Sequence, residues 1–277
     1  MNGGFVKQKM MKREKFLIVM GGEGVVSWGM KNGIWLVALL MWGMCYGMEM
    51  DYREIGRRLW MNDSDQKPRQ LVQWDEKQEC ALMGIGSCTW RPTSRSGSFD
   101  EGFPKFVAFA RERGVQAPDF MKGAAPWADP ADFESDDTGM KEKMHAWLAE
   151  HLELQAQFLV AQVSAALPGM MRAAKRPQAV REHFEELMRT PDGVYCLVDY
   201  LCFMGDGTQK DARGTGLLHV LQEMRPTPEK GSAAAEFAGT ATALLQRRAK
   251  APKAPKSDVA HLGAWLKRCR TYSAAAR

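Results

Sequence analysis

Apolar positions recur at three- and four-residue steps through most of the chain beyond residue 98, and such spacing predicts helices. The strongest run is Met140 to Leu167, where Met144, Trp147, Leu148, His151, Gln155, Phe158, Leu159 and Gln162 share a face. It predicts one long, largely buried helix ended by Pro168, since proline lacks the amide donor and disfavours helical geometry in the residue before it. Val180 to Arg189 repeats the pattern, and Thr190 then offers an N-cap with Pro191 at the first helical position. The helix so opened carries Val194, Leu197, Val198, Leu201 and Cys202 on its face and stops at Gly205 and Gly207. Further helices are expected over Phe99 to Arg113 with Gly114 as its stop, Thr215 to Met224, Pro228 to Lys250 and Val259 to Arg270. Strand alternation surfaces only around Gly84 to Trp90, as a short hairpin or an irregular turn. The fold class is therefore all-α, with at most a minimal β hairpin. Gly123 to Gly139, rich in Pro, Gly and Asp, reads as an exposed loop, and Lys250 to Lys256 (KAPKAPK) as a semi-rigid linker.

The early part of the chain changes the domain picture. Met30 to Gly47 has a basic start at Lys31, an apolar run from Ile34 to Cys45 and small residues at its end, which is the pattern of a secretory signal. The run is shorter than the about 20 apolar residues a bilayer span needs, so no permanent membrane span is expected. Residues 1–47 are accordingly an upstream extension plus signal, 48–250 a helical domain, and 251–277 a linker and a C-terminal helix that docks on the domain. The formal charge of +5 then redistributes: residues 48–223 carry 21 Lys/Arg against 28 Asp/Glu, and residues 224–277 carry eleven against three. Only the tail is basic. A solvated helix surface is the commoner explanation of such a tail, and with export expected, nucleic acid is not the partner. Five cysteines remain after the leader, an odd count that argues against a disulfide framework, although Cys80 and Cys88 could bridge.

Candidate chemistry concentrates between Leu59 and Pro92, where carboxylates, indoles and a Gly-Ile-Gly turn lie close together. Carboxylates supply the general acid or base of glycosidic cleavage, Trp faces stack on sugars, and glycines let backbone approach a ligand. Asp63 follows an apolar helix end, which would place it at the edge of a core where desolvation favours general-acid use; Asp63-Ser64-Asp65 is equally the composition of a turn. Glu79, four residues before Met83 on an expected helical turn, faces the same cleft or is a solvated charge. Gly84 to Trp90, with Gly86, Ser87 and Trp90, lacks the lysine of a phosphate loop and is either a ligand-approach turn or a plain tight turn. Gly205-Asp206-Gly207 through Gly216 misses the calcium-loop pattern and reads as a cleft wall or a surface loop. The five histidines show no zinc spacing, no nucleophile-elbow serine occurs, and neither metal nor cofactor is expected.

Together these residues resemble a group of exported bacterial proteins with a lysozyme-like helical fold. In that group an Asn-Glu pair after an Ile-Trp helix end is followed by a Trp-Asn stretch ending in glutamates and by a Gly-Ile-Gly-His-Phe-Ile-Trp-Tyr-Pro run. The matching residues are Trp60, Asn62 and Asp63, then Trp74, Asp75 and Glu79, then Gly84, Ile85, Gly86, Trp90 and Pro92. Similarity extends to Phe103 to Phe106, to Asp199-Tyr200 with Gly205 to Gly207, and to Gly214 to Leu218. Phage-type lysozymes and lytic transglycosylases place a catalytic glutamate at a helix end before such a turn, so the resemblance assigns that position to Asp63, with Glu79 assisting. It implies a periplasmic or secreted protein acting on or binding peptidoglycan or a related amino-sugar polymer through Gly86, Ser87, Trp90, Tyr200, Asp206 and His219. Three departures stand out: aspartate is one methylene shorter than glutamate, Ser87 replaces the group's His, and His219 stands where Gln is expected. Two other readings are a catalytically inactive glycan-binding or scaffold module, and an envelope interaction protein whose basic tail could be deleted with the main domain left folded.

Overall fold

The computed structural model describes residues 50–64, 71–94, 101–209, 214–227 and 232–273, apart from the side chains of residues 63, 64 and 232. All lie in the compact unit Gly47–Arg277. The expected leader lies outside the described residues. Ten α-helices and one three-stranded antiparallel sheet make up the described chain, so the class is mainly α with a small β element.

Helix α1, Tyr52–Ser64, begins at Asp51, whose Oδ1 accepts the Glu54 amide at 2.9 Å. Its Ile55 and Leu59, four residues apart, are buried on one face. The sheet follows: β1 Val72–Asp75, β2 Cys80–Met83 and β3 Cys88–Trp90, in that spatial order. Only the second hairpin is foreshadowed by alternation, because β1 buries one residue fully and leaves the next three part-exposed, which blurs its period. The register opposes Val72 to Met83 and Met83 to Cys88. Cys80 and Cys88 therefore sit at opposite ends of the β2–β3 ladder and cannot bridge, and the five cysteines among the described residues are thiols.

Helix α2, Gly102–Glu112, leads to the segment 123–139, which is mostly exposed as expected but is anchored at three points and is not all loop. Ala125, Trp127 and Phe133 are buried there, and Phe133 belongs to a short helix α3, Pro130–Ser135, capped by Asp129. The Ala125 amide donates to the Arg91 carbonyl at 2.8 Å, which pins the segment to the end of β3.

The long predicted helix is two helices, α4 Met140–Glu150 and α5 Leu152–Ala173, broken at His151 (φ −107, ψ 35). The break is held by side chains: Gln155 Nε2 donates to the Leu148 carbonyl at 2.6 Å and the His151 carbonyl at 3.2 Å. Pro168 does not end α5 but sits inside it on an exposed position, where water can satisfy the carbonyl that the ring leaves without a donor. Helix α6, Pro177–Leu187, then meets α7, Pro191–Met204, whose Thr190 hydroxyl caps the Gly193 amide. A Cβ on Gly193 would overlap the Leu187 carbonyl, so glycine allows this tight joint.

Helix α7 is the centre of the molecule, with every residue from Gly193 to Tyr200 buried. Helices α8 Leu217–Glu223, α9 Ser232–Ala249 and α10 Lys256–Arg270 complete the packing. Helix α10 is fixed by two buried ion pairs: Arg248 on Asp258, and Arg268 on Asp199 through two bonds of 2.8 Å, with Tyr272 donating to Asp199 at 2.6 Å. No helix among the described residues is long and apolar enough to cross a membrane.

Candidate functional site

The first half of α1 and the Gly84–Ser87 turn rest on a common floor, α5. Gly56, Gly84 and Gly86 each press against α5: a Cβ would lie 2.8 Å from the Leu152 carbonyl, overlap Gln155 Oε1, and lie 2.9 Å from Leu159 Cδ1, respectively. Leu152, Gln155 and Leu159 are spaced by three and four residues and so form one stripe of α5. Gln155 is 4 % exposed, and its Oε1 accepts the Ile85 amide at 3.0 Å, fastening the turn to the helix.

Helix α7 supplies the second half of the floor. Arg58 of α1 pairs with Asp192 at 2.7 Å and stacks over Tyr195 at 3.8 Å, while Asn62 Nδ2 donates to the Tyr195 hydroxyl and, at 2.9 Å, to Thr271 Oγ1. Further along, Cys202 Sγ lies 3.4 Å from the Cβ position of Gly86. Tyr195 and Cys202 share a face of α7, two turns or about 10 Å apart. Asn62 at the end of α1 and Gly86 of the turn thus stand on α7 as a first and a second wall, with α5 beneath the start of α1 and beneath the turn. Burial, and then the charge of Asp199, push the Tyr195 hydroxyl well above the ordinary tyrosine range, so it stays a neutral hydrogen-bonding group.

The individual residues divide sharply. The backbone of Asp63 is in the last turn of α1; its side chain lies outside the described residues. Gly86 and Ser87 are half-buried at the second wall, and Ser87 is held at φ 49. Glu79 is not on a helical turn: it closes the β1–β2 turn at φ 50, exposed. That turn is at the opposite end of β2 from Gly84, about 17 Å away along an extended strand. The Gly84 amide donates to the Leu71 carbonyl at 2.8 Å, so the chain enters the sheet at the Gly84 end.

Trp90 and Tyr200 are core residues and not sugar platforms. Trp90 is 0 % exposed, with Phe103 and Trp127 against it and its Nε1 donating to the Gly123 carbonyl at 2.8 Å. Tyr200, also 0 % exposed, donates to the Thr215 carbonyl at 2.8 Å, and burial raises its hydroxyl far out of the range of proton transfer. Asp206 closes a local turn, accepting the Thr208 amide and hydroxyl at 2.9 Å each. His219 lies behind that loop, its Nδ1 2.8 Å from the Cβ position of Gly207, and burial lowers its pKa, so the ring is neutral at neutral pH. Asp206 and His219 form a separate loop unit beyond the end of α7, joined through the Leu218 amide, which donates to the Asp206 carbonyl at 2.9 Å.

The residues that build the site were chiefly outside the sequence-derived set. Gln155 carried one signal, a polar side chain at a core position of a helical face. Tyr195 and Thr271 carried none, because their role depends on a contact with Asn62 across 133 and 209 residues respectively. Among the described residues no group of three or more His, Cys, Asp or Glu could hold a metal ion. The arrangement brings α1, whose last turn carries residue 63, and the Gly84–Ser87 turn onto shared supports, with Glu79 at the far end of β2 from that turn. No family model, no curated protein and no solved structure matches the chain.

Proposed function

We propose that the chain is an exported lysozyme-like protein that acts on or binds peptidoglycan or a related amino-sugar polymer. The observation that supports this reading is that α1, whose last turn carries residue 63, and the Gly84–Ser87 turn share α5 and α7 as supports, anchored by Asn62 on Tyr195 and by Ile85 on Gln155. A carboxyl at such a helix end can protonate the oxygen of a glycosidic bond laid between the walls. Glu79 stands at the far end of β2 from the Gly84 turn, so this reading gives the role of main carboxylate to Asp63, the attacking group coming from water or from the substrate itself. Purified peptidoglycan cast in a gel and exposed to wild type and Asp63→Asn tests this: clearing by wild type and none by the variant is expected, and equal clearing removes Asp63 from the mechanism.

The displacement of Glu79 and the shorter acid at residue 63 favour a second reading, a module that holds the glycan without cutting it. Retention on insoluble glycan with no release of reducing ends distinguishes this reading, and absence of retention counts against both.

A further inference from the structure

The acidic residues around the C-terminal segment are taken up in pairs, whereas Lys256, Lys267 and Arg270 of α10 are exposed. Asp258, the one acid of α10, is buried and paired with Arg248, and Arg268 is turned inward onto Asp199. Of the acids on the neighbouring helices, Glu223 pairs with Arg247 and Glu236 with Arg225. The outward face of α10 consists of Lys256, Val259, Ala260, Gly263, Lys267 and Arg270, recurring at three- and four-residue steps and all exposed. A Cβ on Gly263 would meet nothing within 4 Å, so the middle of this face is open and smooth. Three cations mark its two ends over about 21 Å. Exposed Lys250 and Lys253 extend the same charge beyond the start of α10.

We propose that this face is a docking track for an acidic glycan strand, holding the polymer whose sugars the α1 and Gly84–Ser87 walls receive; the inference therefore rests on the glycan reading above. Charge complementarity and charge spacing select the occupant. Duplex DNA presents a charge every about 1.7 Å of axis and is matched by dense cation clusters, whereas the α10 cations are sparse, as befits a polymer with isolated carboxylates. A lipid surface calls for bulky apolar anchors, and this face offers only Val259, 57 % exposed, between alanines and glycine.

The test measures binding of the full chain to purified peptidoglycan sacculi, which carry carboxylates, and to neutral chitin at about physiological ionic strength, for wild type and for the triple variant Lys256→Glu, Lys267→Glu, Arg270→Glu. These side chains are exposed, so an unchanged melting temperature verifies the fold. The variant should bind sacculi at least about tenfold more weakly, with binding to chitin unaltered and the wild-type affinity falling as salt is raised. Equal binding of sacculi by both proteins overturns the track and leaves the glycan reading standing. Failure of wild type on both polymers overturns the two together. A wild-type preference for duplex DNA or phosphatidylglycerol vesicles over sacculi also overturns the track.

Discussion

Gln155 is buried with both ends of its amide engaged: its Oε1 takes the Ile85 amide, and its Nε2 gives a second bond to each of the Leu148 and His151 carbonyls at the break. One side chain thereby holds the second wall of the site and braces the helix break. Gln155→Leu keeps the bulk and removes the bonds, leaving the Ile85 amide without this partner. An unsatisfied buried polar group costs about 1–3 kcal/mol, so the variant is expected to melt several degrees lower, with backbone amide exchange at Ile85 accelerated beyond the global change. Trp90 makes the opposite point at the same scale. An indole near a glycine turn resembles a sugar platform in composition, yet burial and one bond to the Gly123 carbonyl make it a core residue.

Among the elements, the α6–α7 joint is the tightest: Leu187 ends one helix, Thr190 caps the next, and Gly193 accepts the Leu187 carbonyl where a Cβ belongs. Gly193→Ala forces backbone apart at the entrance to the central helix. Such overpacking costs about 1–3 kcal/mol and is read as a lower denaturation midpoint with unchanged slope. This joint was legible in the sequence because caps and first-turn prolines act on their immediate neighbours, as Thr190 and Pro191 do. The break between α4 and α5 was not, since the apolar period runs through His151 undisturbed. Strand β1 was hidden for a related reason: Val72 to Asp75 has no clean alternation, and its pairing with β2 defines it. At the candidate site, the sequence marked the positions of residue 63 and the Gly84 turn. It could not mark Tyr195 and Thr271, whose contacts with Asn62 exist only once the chain ends are brought together.

For the whole molecule, the C-terminal segment is an integral part of the body. Removing residues 251–277 was expected to leave the main domain folded; the structure contradicts that, because the cut deletes Arg268 and Tyr272 from Asp199, which is 0 % exposed. Stranding a buried charge costs about 3–5 kcal/mol, a large share of the about 5–15 kcal/mol that holds an ordinary domain. The truncated protein is expected to lose its cooperative thermal transition, and a fully cooperative melt near the wild-type temperature would contradict this. The cut also removes Thr271 from Asn62 and so loosens the α1 end. The stripe of Leu152, Gln155 and Leu159 has a final consequence. Because Gly56, Gly84 and Gly86 all bear on that one helix, α1 and the Gly84–Ser87 turn are coupled through it: a side chain grown at any of the three glycines has to displace the same rod, and the strain is shared by both.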